Sequence, residues 1–103
     1  MRIGIDIMGG DFAPEKTIKG AILAQNELQD STEIVLFGKK SIILDQLEKN
    51  NYTKNNFIIV DCNEVIEMGD HPTRAFKTKS QSSIAKGFQY LANEEINGFC
   101  SAG

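Results

Sequence analysis

Short apolar runs alternate with longer segments in which apolar residues recur at helical spacing. The short runs are rich in β-branched residues and predict four strands, at residues 2–7, 33–37, 57–60 and 99–101. The longer segments predict helices, at residues 14–28, 41–49 and 83–93, with a short one at 73–79. Strands and helices therefore alternate, which indicates an α/β fold with a mainly parallel sheet and helices on both faces.

Each of the three long helices has an apolar face that we expect to pack on the sheet. The inward residues are predicted to be Ile18, Ala21, Ile22 and Leu28 in the first helix, Ile43, Leu44 and Leu47 in the second, and Ile84, Ala85, Phe88, Leu91 and Ala92 in the third. The third strand, 57–60, has no polar position. It therefore predicts a strand that is covered on both faces.

Composition indicates one small soluble domain. The chain has 103 residues, of which 41% are hydrophobic and 24% charged, as in ordinary globular proteins. No apolar run approaches the roughly 18–20 residues that span a bilayer, and the first residues do not resemble a signal peptide. Cys62 and Cys100 fit no metal or redox spacing, so we expect reduced thiols and a cytoplasmic protein, with peripheral association at a membrane left open.

The end of the chain predicts that more protein follows. A fourth strand begins at Phe99, and the sequence stops at Gly103 with no helix to cover it. A parallel strand normally has both of its faces covered. We therefore expect residues 1–103 to be the amino-terminal part of a single α/β catalytic domain, truncated after the fourth strand.

The glycine pair Gly9-Gly10 separates the first strand from the first helix, and Pro14 stands where that helix begins. Glycine allows a close approach of the backbone to another group, and proline suits the first turn of a helix. A strand, a glycine turn and a helix N-terminus form the phosphate-facing corner of many α/β proteins. Gly9 and Gly10 are therefore candidates for phosphate binding.

Two carboxylates flank this turn, and each has two interpretations. Asp11 is able to orient a base or take a proton from dihydrogen phosphate, but capping of the turn and first helix is favoured because it is common for aspartate. Asp6 stands in an otherwise apolar strand, and a buried carboxylate needs hydrogen bonds or a cation. A functional and a structural role are equally supported there. Asp6, Asp11 and Lys79 are weak candidates for catalysis, and the catalytic residues stay unassigned.

A basic segment lies in the second half of the chain. Residues 71–93 contain four basic residues and no acid, although the whole chain has a net charge of -3. Such a segment suggests an anionic partner or a solvated helix face, with similar support for each. Arg74, Lys79, Ser82 and Ser83 precede the third long helix and suit a phosphate or phosphopantetheine group. Alternatively, Ser80 or Ser82 simply caps that helix.

Four other residues complete the candidate chemistry. Ser101 and Gly103 lie at the end of the fourth strand, at its carboxyl edge, which is the usual ligand side of an open α/β sheet, and are candidate phosphate contacts. His71 is the single histidine; an incidental role is favoured over acid–base catalysis, and a multi-histidine metal site is excluded. Cys100 is expected to be buried, with a packing role.

Four ordered motifs resemble one protein family. Residues 5–11, followed by Pro14, are similar to the amino-terminal signature of the bacterial phosphate acyltransferases of phospholipid synthesis. Residues 64–66 with Asp70 and Pro72, the pair at 82–83, and the sequence at 100–103 resemble their next three signatures in the same order. The resemblance covers the whole chain.

This resemblance implies an activity and a fold. The family transfers a long-chain acyl group from acyl carrier protein to inorganic phosphate, and a membrane acyltransferase then uses the acyl phosphate to acylate glycerol 3-phosphate. It implies no metal or cofactor, a homodimer, and a three-layer α/β/α fold similar to isocitrate and isopropylmalate dehydrogenases. The basic segment would also suit acyl carrier protein, which is strongly acidic. We expect the 103-residue chain by itself to be inactive.

Two alternatives remain open at this point, and neither involves nucleic acid. The first is a non-enzymatic module that binds phosphate or a nucleotide, although neither Gly-x-Gly-x-x-Gly nor Gly-Lys-Ser/Thr is present. The second, with less support, is a metal-dependent phosphohydrolase that uses Asp6 and Asp11.

Overall fold

The computed structural model describes residues 1–28, 31–63 and 81–102. The elements in these ranges are β1 (Arg2–Asp6), α1 (Glu15–Glu27), β2 (Glu33–Gly38), α2 (Lys40–Lys49), β3 (Ile58–Asp61), α3 (Ser83–Ala92) and β4 (Gly98–Cys100). Each of them agrees with a predicted element to within one residue at either end. The short helix expected at 73–79 lies outside the described residues.

The strands form one parallel sheet in the order β3-β2-β1-β4. Ile3 of β1 stands opposite Ile34 of β2 on one side and Gly98 of β4 on the other. From β1 the chain adds β2 and β3 on one side and later places β4 on the other side. The order therefore reverses between β1 and β4, and in open α/β sheets ligands bind at the carboxyl ends of the strands beside such a point.

Alternation along the strands separates two layers of core. Ile34 and Leu36 of β2 pack with Ile7, α1 and α2 on one face, whereas Val35 and Phe37 pack with the α3 region on the other. Successive side chains of a strand point to opposite faces. The predicted arrangement of helices on both faces of a parallel sheet is thus confirmed for the described residues.

Gly4 allows the α3 side of the sheet to pack closely. A Cβ at this position would lie 2.7 Å from the Phe37 ring and 2.9 Å from Ile96 Cδ1. Phe37 is fully buried, and its ring meets those of Tyr90 and Phe99 edge-on, with centroids 5.2 Å and 5.5 Å away. Edge-to-face aromatic pairs add stability beyond the area that they bury, so this aromatic cluster fixes α3 on the sheet.

The inward face of α3 is not the one that its large apolar residues predict. Phe88 is 49% exposed and Ala92 is exposed, whereas Ser83 and Gly87 are buried. Residues 83, 87, 90 and 91 share one face at helical spacing, and the small side chains on it let the helix approach the sheet. The expectation for Phe88 and Ala92 was wrong. It was based on which residues are apolar, whereas close packing of this helix on the sheet requires small residues on the inward face.

Two other burial predictions also need correction, and a third holds only in part. Leu28 and Leu44 are 42% and 48% exposed, since Leu28 follows the last turn of α1 and only Ile43 and Leu47 of α2 are buried against the sheet. β3 packs against core on both faces, with Ile59 on one side and Ile58 and Val60 on the other, but it is only half-buried because it lies at an edge of the described sheet. No helix in the described part of the chain has the length and apolar character needed to cross a membrane.

Candidate functional site

Three separate segments meet at the carboxyl edge of the sheet. Asp6 is the last residue of β1, Ser83 is the first residue of α3, and Ser101 directly follows β4. Both serine hydroxyl groups bind the Asp6 carboxylate. These three residues, called the Asp6 cluster below, lie where the strand order reverses between β1 and β4. This is the position at which open parallel sheets bind ligands.

Asp6 is a buried carboxylate whose needs are met by hydrogen bonds. Its side chain is 3% exposed. Oδ1 accepts hydrogen bonds from the backbone N–H of Met8, at 3.0 Å, and from Ser83 Oγ, and Oδ2 accepts one from Ser101 Oγ at 2.8 Å. Such bonds offset the cost of removing a charge from water. The structural interpretation of Asp6 is thus supported, and a direct catalytic role stays a prediction.

The glycine turn closes over this carboxylate. A Cβ on Gly9 would lie 2.6 Å from Asp6 Oδ2 and 3.0 Å from Ser101 Oγ. Gly10 has a φ of 94°, which side chains with a Cβ rarely tolerate. The close backbone approach expected of this glycine pair is present, and the nearby groups are the carboxylate of Asp6 and the segment that contains Ser101.

The start of α1 differs from the prediction for Asp11. The N-cap of α1 is Pro14, and no side-chain hydrogen bond caps it, whereas Asp11 is exposed on the turn. Instead, the Thr17 hydroxyl lies 2.6 Å from the Ile7 carbonyl oxygen and 2.9 Å from that of Pro14, so it joins the first turn of the helix to the end of β1. Capping of α1 by Asp11 was therefore wrong, and its catalytic candidacy stays a prediction.

Ser82 caps α3, as the alternative interpretation of the serine pair predicted. It is 1% exposed, and its Oγ accepts a hydrogen bond from the Ala85 backbone N–H at 3.3 Å. An N-cap of this kind satisfies one of the free N–H groups at a helix start. A phosphate contact by Ser82 stays a prediction.

Most of the remaining basic and polar candidates lie outside the residues that the structure describes. Arg74, Lys79, Gly103, Ser80 and His71 lie outside the described residues, so their proposed roles stay predictions. Lys86, the fourth base of the basic segment, donates from Nζ to the Asp61 carbonyl oxygen at 2.8 Å. It therefore binds the carboxyl end of β3 and is not simply a solvated residue of α3.

The convergence of Ser83 and Ser101 on Asp6 was missed by sequence reasoning. The two hydroxyls are separated from Asp6 by 77 and 95 positions in the chain, a distance that no local spacing pattern spans. The available signal was weak: a polar residue at the carboxyl end of each of two predicted strands, and a serine pair before a helix. Such positions meet only when β1 and β4 are known to be neighbours.

Metal ligation receives no support in the parts of the chain that the structure describes. Within them, no three His, Cys, Asp or Glu side chains are close enough to hold an ion together. The Asp6 oxygens instead receive donors from the backbone and from two serines. The phosphohydrolase that would use Asp6 and Asp11 stays an untested alternative.

The two cysteines occupy different environments. Cys62 is fully buried, and burial raises the pKa of its thiol to about 11. Its backbone N–H donates to the Gly38 carbonyl oxygen at 2.8 Å. Cys100 is exposed, which corrects the expectation that it is buried, because β4 is an edge strand of the described sheet.

Cys62 is expected to resist alkylation in the native full-length protein. With a pKa of about 11, about one thiol in a thousand is ionised near pH 8, and the thiolate is the reactive form. The rate should rise as the pH increases toward that value. Iodoacetamide labelling of Cys62, followed by peptide mass spectrometry, should be at least about 100-fold slower in the native protein than in urea. Equal rates in the two states would contradict this expectation.

Comparisons with known proteins agree with the resemblance. A family model described as "Fatty acid synthesis protein" matches residues 1–103. The chain is 46% identical over 103 residues to the phosphate acyltransferase of Caldicellulosiruptor bescii and 40% identical over 103 residues to that of Clostridium tetani. Each alignment covers 100% of this chain and 30% of the relative, so the chain spans about 30% of the length of these curated relatives. The chain therefore belongs to the phosphate acyltransferase family of fatty acid synthesis proteins.

Proposed function

We propose that the full-length protein transfers a long-chain acyl group from acyl carrier protein to inorganic phosphate, for phospholipid synthesis. The observation that carries this proposal is the position of the Asp6 cluster under the Gly9-Gly10 turn, at the ligand-binding edge of the sheet. The names of the relatives, which are phosphate acyltransferases, supply the reaction class.

The chemistry requires little beyond positioning and charge stabilisation. A phosphate oxygen attacks the thioester carbon, the new C–O bond forms, the C–S bond breaks, and the thiolate leaves and takes up a proton. A thioester is already activated, so correct orientation and donors for the developing oxyanion supply much of the acceleration. Backbone N–H groups of the glycine turn and the positive N-terminal end of a helix are suitable donors for anions.

Several further properties belong to the same proposal. The basic segment at 71–93 docks acyl carrier protein, and Arg74, Lys79 and Gly103 contact phosphate or phosphopantetheine. Residues 1–103 form part of a single catalytic domain with the isocitrate dehydrogenase-like fold. The protein is a cytoplasmic homodimer without a cofactor, and a membrane glycerol-3-phosphate acyltransferase consumes its product.

The proposal predicts that release of free carrier protein depends on phosphate. Full-length protein should convert acyl-acyl carrier protein to free carrier protein and acyl phosphate when phosphate is present, and should release neither product without it. Separation of acylated and free carrier protein by native gel, with mass spectrometry of the acyl phosphate, measures both products. Release that is independent of phosphate would overturn the proposal, and tight nucleotide binding without acyl turnover would support the binding module instead.

A further inference from the structure

One hydroxyl group joins the two ends of the glycine turn, residues 8–13. Thr17 Oγ1 lies 2.6 Å from the carbonyl oxygen of Ile7, which precedes the turn, and 2.9 Å from that of Pro14, which follows it. Carbonyl oxygens only accept hydrogen bonds, so Thr17 is the donor and its one hydrogen is shared between them. Thr17 belongs to the first turn of α1 and thus closes the base of the glycine turn from the helix side.

Both ends of the turn are anchored to regular structure. Ile7 is fully buried, and its backbone N–H donates to the Phe37 carbonyl oxygen of β2 at 2.9 Å. The Pro14 carbonyl oxygen accepts from the Ile18 N–H at 3.0 Å, and Ile18 is fully buried in the core. Because Thr17 binds both ends, it fixes the separation between the end of β1 and the start of α1.

The turn between these ends needs such support. Gly9 and Gly10 have more backbone freedom than residues with a Cβ, and Gly10 takes a φ of 94°. Asp11 and Phe12 are exposed, and within the described residues no side-chain hydrogen bond caps the start of α1. A segment of this kind samples several conformations unless its ends are held. The hydrogen bonds of Thr17 therefore increase the fraction of molecules in which the turn has the conformation described above.

We propose that Thr17 is a positioning residue, which holds the glycine turn in the conformation that binds inorganic phosphate. The inference rests on the proposed function, in which backbone N–H groups of this turn bind the phosphate. Thr17 itself does not donate to the anion, because its one hydrogen is used by Ile7 and Pro14. The apparent affinity for a ligand is reduced by the fraction of molecules in which the binding conformation is populated. Thr17 therefore acts on phosphate affinity through the turn.

Thr17→Val removes this hydrogen bond with little change of shape. Valine is β-branched like threonine, and it replaces the hydroxyl group with a methyl group that cannot donate. The Met8 N–H stays bound to Asp6 Oδ1 at 3.0 Å, so the turn becomes looser and is not released. Phosphate must then select the binding conformation from a wider set. Once phosphate is bound the turn is ordered again, so the chemical step changes little, and acyl carrier protein docks elsewhere in the proposed function, on the basic segment at 71–93.

The experiment is steady-state kinetics of carrier-protein release by the full-length protein, with inorganic phosphate and acyl-acyl carrier protein varied in turn. Thr17→Val should raise the KM for phosphate by about three- to tenfold, as expected for the loss of one hydrogen bond. The KM for acyl-acyl carrier protein and kcat should stay within about twofold of the wild-type values. Thr17→Ser keeps the hydroxyl group and should restore the phosphate KM to within about twofold of wild type. Thr53→Val is the matched control, since it makes the same change at an exposed position before the amino end of β3, at the sheet edge opposite the turn, and it should keep the wild-type values.

A Thr17→Val protein with the wild-type KM for phosphate would overturn the inference, and so would a Thr17→Ser protein with the phosphate KM of the valine variant. An equal rise of both KM values in Thr17→Val would overturn it as well, since it would indicate a general loss of structure. If Thr17→Val does not fold, Thr17→Ala decides by the same criteria, because alanine also lacks the hydroxyl group and is a strong helix former. In each of these failures the wild-type protein still shows phosphate-dependent release of carrier protein, whereas phosphate-independent release would overturn the proposed function and this inference with it.

Discussion

Replacing Gly9 with alanine is expected to lower the phosphate-dependent acyl transfer of the full-length protein by about 100-fold. The added methyl group would meet Asp6 Oδ2 at 2.6 Å and Ser101 Oγ at 3.0 Å. The two atoms are hydrogen-bonded to each other, and Asp6 is buried, so movement of either atom would disturb this bond. The turn must therefore shift outward, and a shift of about 1 Å at a reacting site is enough for a loss of this size.

The matched control for this change is Gly20→Ala. Among the described residues, a Cβ at Gly20, in the middle of α1, would meet no other atom within 4 Å, and alanine is favoured over glycine in a helix by about 0.8–1.0 kcal/mol. This variant should keep full activity and be slightly more stable. The acyl-transfer activity of both variants is measured as the steady-state rate of carrier-protein release, and circular dichroism verifies that they fold. Wild-type activity in a folded Gly9→Ala protein would show that the turn does not control the site.

Gly4→Ala is expected to lower the free energy of unfolding of the full-length protein by about 2–3 kcal/mol. The new methyl group would lie 2.7 Å from the Phe37 ring, 2.9 Å from Ile96 and 3.1 Å from Phe99. Phe37 is fully buried and is held edge-on by Tyr90 and Phe99. A movement of the Phe37 ring away from the new methyl group would therefore bring it too close to Tyr90 or Phe99, so the strain is shared by the whole aromatic cluster.

Gly98→Ala provides a control on a neighbouring strand. In the described part of the chain, a Cβ there would approach only Ile3 Cδ1, at 3.3 Å, which is the flexible end of a side chain and is able to move away. Its cost should stay below about 1 kcal/mol. Urea unfolding followed by circular dichroism compares the two variants, and equal midpoints would contradict close packing of α3 against the Gly4 face.

The elements were predictable because their signals are local. The strand at Glu33–Gly38 is apolar at every position after the first, and α1 and α2 have simple amphipathic spacing. The buried face of α3 was predictable only in part. Ala85 and Leu91 lie inward as expected. The inward positions of Ser83, Gly87 and Tyr90 were not predicted, because they depend on packing against Phe37 of β2 and Phe99 of β4.

The candidate site was likewise predictable where the signal is local and not predictable where it depends on distant residues. The residue types of the glycine turn were enough to indicate a close approach at the end of β1, and Asp6 was recognisable as a carboxylate in an apolar strand that needed partners. Neither Ser83 nor Ser101 was recognisable as one of those partners. Both bind Asp6 in the structure, and the phosphate contact predicted for each stays a prediction.

The amino-acid sequence alone determined the alternation of strands and helices, the special backbone of Gly9-Gly10 and the requirement that Asp6 receive hydrogen bonds from nearby donors. These follow from side-chain periodicity, from the missing Cβ and from the cost of burying a charge. Only the tertiary structure decided which donors they are, because the placement of β4 beside β1 brings Ser101 across 95 positions to Asp6. That pairing is set by packing of the whole sheet against its helices.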